Sequence, residues 1–243
     1  MNPFENKVIV VTGGSDGIGK ELVESFLQMG AKVATCGRNY DKLYPLQSAY
    51  SGKPLMIYAA DISKEQEANN FIDSVIKTFG TIDILINNAG ISMRATVEDV
   101  SLDALRKVMD INFWGTVYCT KFSLPYIIEN KGTIVGVSSI AGYRGLPGRS
   151  GYSASKFAVN GWLEALRTEL LDSGTNVMWV CPGFTASNIR NAALNNKGES
   201  FGETSMDEGK MMSTSECAVH IIKAIEKRKR TLVLTFTGKR AVF

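Results

Sequence analysis

The chain has 243 residues, of which 44% are hydrophobic and 21% charged, a composition typical of a soluble globular protein with a sizeable core. It contains no run of about 18 uninterrupted apolar residues, and its first residues lack the basic-then-apolar order of a secretory signal. These features argue against a membrane-spanning or secreted protein, so we expect a cytoplasmic one. The four cysteines are far apart and no histidine lies at ligand spacing, so we expect free thiols and no metal site.

The net charge of +3 is unevenly distributed along the chain. Residues 223–243 hold seven basic residues and one acidic residue, a net charge of +6, which leaves −3 for the first 222 residues. The basic run at 227–230 could attract a nucleic acid or an anionic membrane surface, although cations also stabilise the last turn of a helix. We favour the helix end and expect no nucleic-acid partner, while peripheral contact with a membrane stays an alternative.

The first elements predict a nucleotide-binding opening. A β-branched run at 7–12 indicates a buried strand, and apolar residues at helical spacing indicate a helix over 20–29 that ends at Gly30. Glycines in the intervening loop would let the backbone approach a pyrophosphate, which free N–H groups and the helix dipole stabilise. The loop spacing is Gly-x-x-x-Gly-x-Gly, and alone it could be a bare turn. Placed between this strand and this helix, it gives five candidate cofactor residues, namely Gly13, Ser15, Gly17, Ile18 and Gly19.

The end of the second strand, 32–36, bears on the choice of cofactor. In a dinucleotide-binding fold, an acidic residue at this point binds the ribose 2′-hydroxyl of NAD. Here Gly37 and Arg38 follow, which leaves space and a guanidinium suited to a 2′-phosphate. We therefore predict NADP, with NAD as the alternative because the carboxylate of Asp16 would repel that phosphate.

The third and fourth strands add candidates at the same edge of the sheet. The strand at 55–60 runs into Asp61 and Ile62, and Asp61 could bind the adenine amino group or cap the helix predicted over 63–79, although Ser63 is the nearer cap. A strand beginning at Ile82 then ends in three residues with short side chains, which allow close approach to a ring or a ribose, namely Asn88, Ala89 and Gly90.

The segment 102–130 is predicted to be one long helix. It is apolar nearly all round, so it must be covered on several sides, which suggests a subunit interface and a homodimer or homotetramer. Asn112 interrupts this apolar run. Because an asparagine inside a helix is mildly unfavourable unless its amide has a task, we assign Asn112 a relay role.

The strand at 133–137 leads to the candidate catalytic residues. It carries Ser139 to its carboxyl end, where open α/β sheets bind their ligands and where the serine could hold a substrate oxygen. Tyr152 and Lys156 are four residues apart on the next helix and therefore share a face. A phenol ionises near pH 10, and an adjacent ammonium would stabilise its ionised form. The alternative is an ordinary pair of helix residues.

The last third of the chain predicts a binding turn and a cover. Pro182, Gly183 and Thr185 follow the strand at 176–181 and could meet a nicotinamide carboxamide, although a simple strand-exit turn is equally consistent. The segment 186–213 lacks periodicity and is predicted to be a substrate lid. Nearby side chains such as Leu146 and Phe184 suggest an apolar substrate. A helix over 215–227 and a strand over 231–236 complete the alternation.

Seven motifs occur in one order along the chain: Thr12-Gly-x-x-x-Gly-Ile-Gly19, Asp61-Ile62, Asn87-Asn-Ala-Gly90, Asn112, Ser139, Tyr152-x-x-x-Lys156 and Pro182-Gly183. Together they resemble the short-chain dehydrogenase/reductase family over nearly the whole chain. The resemblance implies one α/β domain over 1–243, a Rossmann-like doubly wound fold with a seven-stranded parallel sheet flanked by helices. A nicotinamide cofactor would lie across the carboxyl ends of the strands.

The resemblance also implies roles for the candidate residues. Tyr152 would be the general acid or base, and Lys156 would lower its pKa and bind the nicotinamide ribose. Ser139 would orient the carbonyl, and Asn112 would hold a water that links Lys156 to solvent. The expected function is NADP-dependent hydride transfer to or from a carbonyl or secondary alcohol of a small, apolar substrate, lipid-, steroid- or sphingoid-like. The alternative is a non-catalytic NAD(P)-binding sensor or scaffold.

Overall fold

Seven parallel strands form one sheet in the order β3-β2-β1-β4-β5-β6-β7. The structure is a computed structural model that describes residues 2–202, 211–235 and 238–240. The strands are β1 Val8–Thr12, β2 Lys32–Gly37, β3 Leu55–Ala59, β4 Ile84–Asn87, β5 Thr133–Val137, β6 Asn176–Cys181 and β7 Thr231–Val233. The predicted Rossmann-like fold with a seven-stranded parallel sheet is confirmed.

Helices cover both faces of this sheet. They are α1 Gly17–Gln28, α2 Tyr40–Ala49, α3 Glu65–Phe79, α4 Leu102–Met109, α5 Gly115–Glu129, α6 Ser150–Glu169 and α7 Thr214–Glu226. In β1, Ile9 and Val11 pack with α1, α2 and α7, whereas Val8 and Val10 pack with α3, α5 and α6. Because both faces are buried, the strands are apolar at nearly every position.

The segment predicted as one long helix is divided in the structure. A wide π-helical turn, Asp110–Trp114, separates α4 from α5, so the prediction of a regular helix over 102–130 was wrong in its middle. The extra residue that such a turn accommodates changes which side chains face inward. Asn112 lies in this turn and is buried.

Two helix starts and one whole helix also differ from the sequence-based expectation. Asp16 is the N-cap of α1, where its carboxylate accepts from Gly17 N at 2.7 Å, so α1 begins before the predicted position 20. Lys64 is the N-cap of α3, and neither Asp61 nor Ser63 caps it. The sequence analysis did not predict α2, which contains Pro45 and has only a weak apolar stripe.

The four cysteines are free and buried, as expected. Burial raises the pKa of Cys36, Cys181 and Cys217 to about 12, and it raises the pKa of Cys119 well above its usual range. Within the described ranges, no helix is both long enough and apolar enough to cross a membrane.

Candidate active site

A cavity of about 730 Å³ runs along the carboxyl edge of the sheet. It lies where the strand order reverses between β1 and β4, the position at which open α/β sheets bind ligands. Sixteen predicted site residues line it: Gly13, Ser15, Gly17, Ile18, Arg38, Asp61, Ile62, Asn88, Ala89, Gly90, Ser139, Tyr152, Lys156, Pro182, Gly183 and Thr185. The other two, Gly19 and Asn112, lie behind this lining.

The glycine loop forms the floor of one end of the cavity. A Cβ on Gly19 would lie 2.3 Å from the carbonyl oxygen of Gly13 and 2.4 Å from Nδ2 of Asn88, so no side chain fits there. Asn88 donates from Nδ2 to the carbonyl oxygens of Thr12, at 2.9 Å, and Gly13, at 3.2 Å. The loop is therefore fixed to the end of β4, and its backbone N–H groups at the start of α1 fit a dinucleotide pyrophosphate.

Two basic side chains flank the nucleotide end of the cavity. Arg38 follows β2, and Lys42 lies one turn into α2; both are exposed and both line the cavity. The sequence analysis missed Lys42 because it did not predict α2, although a lysine four positions after Arg38 is a signal that could have found it. This pair fits a doubly charged ribose phosphate.

Asp61 has a defined structural task at the same end. Its Oδ1 accepts from Ser63 N at 3.1 Å and from Ser63 Oγ at 2.7 Å, which closes the turn before α3. The helix-cap alternative for Asp61 is therefore excluded. Contact between its carboxylate and an adenine amino group stays a prediction.

Ser139, Tyr152 and Lys156 meet at the other end of the cavity. Ser139 follows β5, and the two other residues project from the first two turns of α6. Lys156 Nζ donates to the carbonyl oxygen of Val137 at 2.8 Å and lies 5.8 Å from the centre of the Tyr152 ring. The structure thus brings together three of the four predicted catalytic side chains, and Asn112 lies behind them.

The protonation of this group follows from its burial. Tyr152 is 9% exposed, and burial raises its pKa; a hydrogen bond from Ser139 and the charge of Arg149 act in the opposite direction. Burial also lowers the pKa of Lys156, to about 8. The role of Lys156 in lowering the phenol pKa, implied by the family resemblance, stays a prediction; in the structure its ammonium donates to the carbonyl oxygen of Val137.

Asn112 connects the loop after β4 to α6. Its Nδ2 donates at 2.9 Å to the carbonyl oxygen of Ile91 and to Ser155 Oγ, and its Oδ1 accepts from Ile91 N at 2.8 Å. These bonds place its amide beside Gly90 and Lys156, since a Cβ on Gly90 would lie 3.1 Å from Asn112 Oδ1 and 3.5 Å from Lys156 Nζ. The predicted water relay through Asn112 stays a prediction.

The predicted lid packs over the cavity as far as it is described. Leu194 pairs with Met93 and with Ser200, and the side chain of Arg190 donates to the carbonyl oxygen of Thr185 at 2.8 Å. Ser187 lies over the glycine loop, where a Cβ on Gly17 would be 3.6 Å from its own Cβ. Residues 203–210 of the predicted lid lie outside the described residues, and movement of the segment stays a prediction.

The sequence analysis assigned no role to three polar residues at the substrate end of the cavity. Ser92, Arg149 and Arg190 line it beside Tyr152. The position of Arg149, one helical turn before Tyr152, was a usable signal; Ser92 and Arg190 are brought in by loops that have no local pattern. In the described part of the chain, no group of three His, Cys, Asp or Glu residues could hold a metal ion.

Comparisons with known proteins agree on one family. The family model of the short chain dehydrogenases matches residues 7–198. Dehydrogenase/reductase SDR family member 7B of Mus musculus is 36% identical, over 99% of this chain and 77% of that protein. The 11-beta-hydroxysteroid dehydrogenase A of Sesamum indicum is 34% identical, over 97% of this chain and 67% of that protein.

Solved structures give the same result. A short-chain dehydrogenase from Streptomyces avermitilis superposes with a TM-score of 0.88 and 26% identity, over 98% of this chain and 91% of that one. A short-chain dehydrogenase/reductase from Burkholderia phymatum, solved in complex with NAD, has the same fold with a TM-score of 0.85 and 22% identity, over 96% of this chain and 90% of that one. The chain therefore belongs to the short-chain dehydrogenase/reductase family and is an NAD(P)-dependent oxidoreductase that acts on alcohol or carbonyl groups.

Proposed function

We propose that the protein is an NADP-dependent reductase that transfers a hydride to the carbonyl group of an apolar, lipid- or steroid-like substrate, and in reverse oxidises the secondary alcohol. The observation that carries this proposal is the junction of Ser139, Tyr152 and Lys156 at the end of the cavity opposite Arg38 and Lys42. The cofactor, when bound, supplies the hydride.

The residues of the chain provide the proton and the orientation. The raised pKa of Tyr152 keeps its phenol protonated near neutral pH, so it can donate a proton to the oxygen of a carbonyl as the carbon accepts the hydride. Ser139 donates a hydrogen bond to the same oxygen and stabilises the charge that develops there. Lys156, largely charged near neutral pH, is placed to bind the hydroxyls of the nicotinamide ribose.

The preference for NADP rests on charge at the nucleotide end. Arg38 and Lys42 are two cations on one wall, and Asp16, the residue that opposes the prediction, uses its carboxylate to cap α1 at Gly17 N. An N-cap carboxylate already engaged with a backbone N–H repels a nearby phosphate less than a free one would.

The apolar substrate is supported by the walls around Tyr152. Ile91, Leu146, Phe184 and Ile189 line this end of the cavity. The name of the Sesamum indicum relative, a hydroxysteroid dehydrogenase, points to the same class of compound.

A homodimer or homotetramer is part of the proposal. Two large aromatic side chains, Trp114 at 43% and Phe157 at 46%, are exposed where α5 begins and on α6. A second copy of the chain would cover them.

The proposed mechanism is tested by Tyr152→Phe, which removes only the phenolic hydroxyl. Turnover of any accepted carbonyl compound should fall by about a hundredfold to ten-thousandfold, because the proton donor is lost. NADPH binding, measured by its fluorescence, should change little. Tyr44→Phe is the matched control, since Tyr44 is exposed on α2 and does not line the cavity.

Two results would contradict the proposal. Turnover of Tyr152→Phe close to that of the wild type would exclude the acid role of the phenol. Tight cofactor binding without reduction of any compound in a broad panel of ketones, sterols and quinones would favour the sensor or scaffold instead.

A further inference from the structure

Two arginine side chains line the substrate end of the cavity. Arg149 and Arg190 line this end, and the charge of Arg94 also reaches Arg149. The pKa of Arg149 is lowered, first by its burial and then by the charges of Arg94 and Arg190. An anion bound beside Arg149 would stabilise its charged form and so oppose both effects.

Arg149 is held in place by neutral groups. Its Nη1 donates to Ser92 Oγ at 3.0 Å, and Ser92 is only 2% exposed, so this hydroxyl is a fixed partner. The backbone beside it is tied down as well, because Ala95 N donates to the carbonyl oxygen of Gly148 at 3.0 Å. The guanidinium is therefore positioned before any ligand arrives.

No carboxylate of the described residues forms an ion pair with Arg149. The ion pairs in the described part of the chain involve Lys7, Lys20, Lys64, Arg106 and Arg167. The two acidic residues among the described lining, Asp16 and Asp61, lie at the nucleotide end. A half-buried cation that has no counter-ion among the described residues, beside the reacting group, is typical of a ligand-binding residue.

We propose that Arg149 binds a carboxylate of the substrate and so determines specificity: the protein reduces an apolar carbonyl compound that carries a carboxylate group. A guanidinium presents paired N–H donors that match the two oxygens of a carboxylate. Arg149 and Tyr152 line the same cavity, so a molecule bound to both places its ketone at the phenol and its carboxylate at the guanidinium. The apolar walls accept the carbon chain between them.

This inference rests on the proposed function, and its test uses pairs of substrates that differ only in charge. Levulinate is compared with methyl levulinate, and 3-benzoylpropionate with methyl 3-benzoylpropionate, with NADPH as the reductant. The wild type should have a kcat/KM about tenfold or more higher for the acid of the accepted pair than for its ester.

The variants separate binding from catalysis. Arg149→Gln should lower kcat/KM for the acid by about tenfold to a hundredfold more than for the ester, mainly through the KM of the acid. Arg149→Lys should lie between, because a lysine keeps the charge and loses the paired donors. Arg144→Gln is the control, since Arg144 is an exposed arginine of the same loop that does not line the cavity.

A binding measurement keeps this inference independent of turnover. Calorimetry of benzoate with the NADP complex should show binding that Arg149→Gln weakens and Arg144→Gln does not, while benzamide binds equally to all three proteins. If no carbonyl compound is reduced but benzoate binds in this way, the proposed function fails and the carboxylate site stands.

Three outcomes would overturn the inference. The first is an equal kcat/KM of the wild type for acid and ester. The second is an equal loss for acid and ester in Arg149→Gln with a shifted pH profile, which would make Arg149 a positioning residue for Tyr152. The third is displacement of benzoate by inorganic phosphate at lower concentration, which would assign the site to phosphate. Thermal unfolding of each variant checks that it is folded.

Discussion

The two ends of the cavity differ in whether backbone or side chains form them. The nucleotide end is made of backbone: a Cβ on Gly14 would lie 2.1 Å from Thr35 Oγ1, and a Cβ on Gly19 would meet the carbonyl oxygen of Gly13. The substrate end is made of side chains that come from separate loops, among them Ser92, Arg149 and Arg190. The first end fixes the shape common to dinucleotides, and the second leaves the choice of substrate to exchangeable side chains.

Gly19→Ala is the change expected to have the largest effect at the backbone-built end. The new Cβ cannot fit between the Gly13 carbonyl and Asn88, so the loop must move away from the position that binds pyrophosphate. We expect the dissociation constant of NADPH to rise by about a hundredfold. Fluorescence titration measures it.

Gly145→Ala is the matched control for this prediction. Nothing lies within 4 Å of a Cβ at position 145, in the loop before α6. Equal cofactor affinity in both variants would show that the close packing at Gly19 is not what holds the loop.

Asn112→Ala tests the junction between the loop after β4 and α6. The substitution removes three hydrogen bonds and takes the amide partner from the backbone N–H and carbonyl of Ile91, while Ser155 Oγ keeps its bond to the carbonyl oxygen of Tyr152. We expect the free energy of unfolding to fall by about 2 to 4 kcal/mol, with a loss of turnover because α6 carries Tyr152. Urea denaturation measures the stability change.

Asn69→Ala provides the comparison for Asn112. The Asn69 amide is exposed on α3, where it donates to Asp73 at 3.4 Å, so its loss should change stability by no more than about 0.5 kcal/mol. If the two variants lose stability equally, the buried amide of Asn112 has no special structural task.

Arg38→Ala tests the positive charge at the nucleotide end of the cavity. The affinity for NADP should fall about tenfold to a hundredfold, since a charge-assisted bond to the 2′-phosphate is lost, while the affinity for NAD should stay within about threefold. Competitive titration of the two cofactors measures the ratio. Tighter binding of NAD than of NADP by the wild type would overturn the cofactor assignment.

Lys156 gives the smallest predicted effect, a dependence of stability on pH. Its folded pKa of about 8 lies below its ordinary value of 10.5, so between these values the unfolded chain binds a proton that the folded one does not. The contribution of Lys156 to stability therefore rises with pH across this window.

Comparison with Lys156→Met isolates this contribution from the buried thiols, which both proteins share. The wild type should gain stability relative to the variant by about 1 kcal/mol per pH unit above about pH 8. Urea denaturation of the cofactor-free proteins at a series of pH values measures the gain. A difference that stays constant across the window would contradict the lowered pKa of Lys156.

The sequence predicts the nucleotide end of the cavity well. The run from Val8 to Gly19 combines β-branched residues, glycines and a helical pattern within a dozen positions, so local rules suffice. Its boundary was wrong by three residues because the capping role of Asp16 was not recognised.

The side-chain-built end depends on contacts between distant parts of the chain. Ser92 and Arg149 meet through a hydrogen bond across 57 positions, and Leu194 pairs with Met93 in a separate loop. No local pattern marks such contacts. The π-helical turn at Asp110–Trp114 is likewise invisible to a rule based on 3.6 residues per turn, although Asn112 itself was singled out as unusual.

The labelling rates of the four buried cysteines would report local opening of the fold. A thiol reacts only as an exposed thiolate, so the labelling rate at each position measures how often that part of the fold opens. Cys36 lines the nucleotide end of the cavity, whereas Cys217 lies on α7 and does not line the cavity. Mass spectrometry of labelled peptides would thus follow the local opening of separate regions in one sample, without any substitution in the chain.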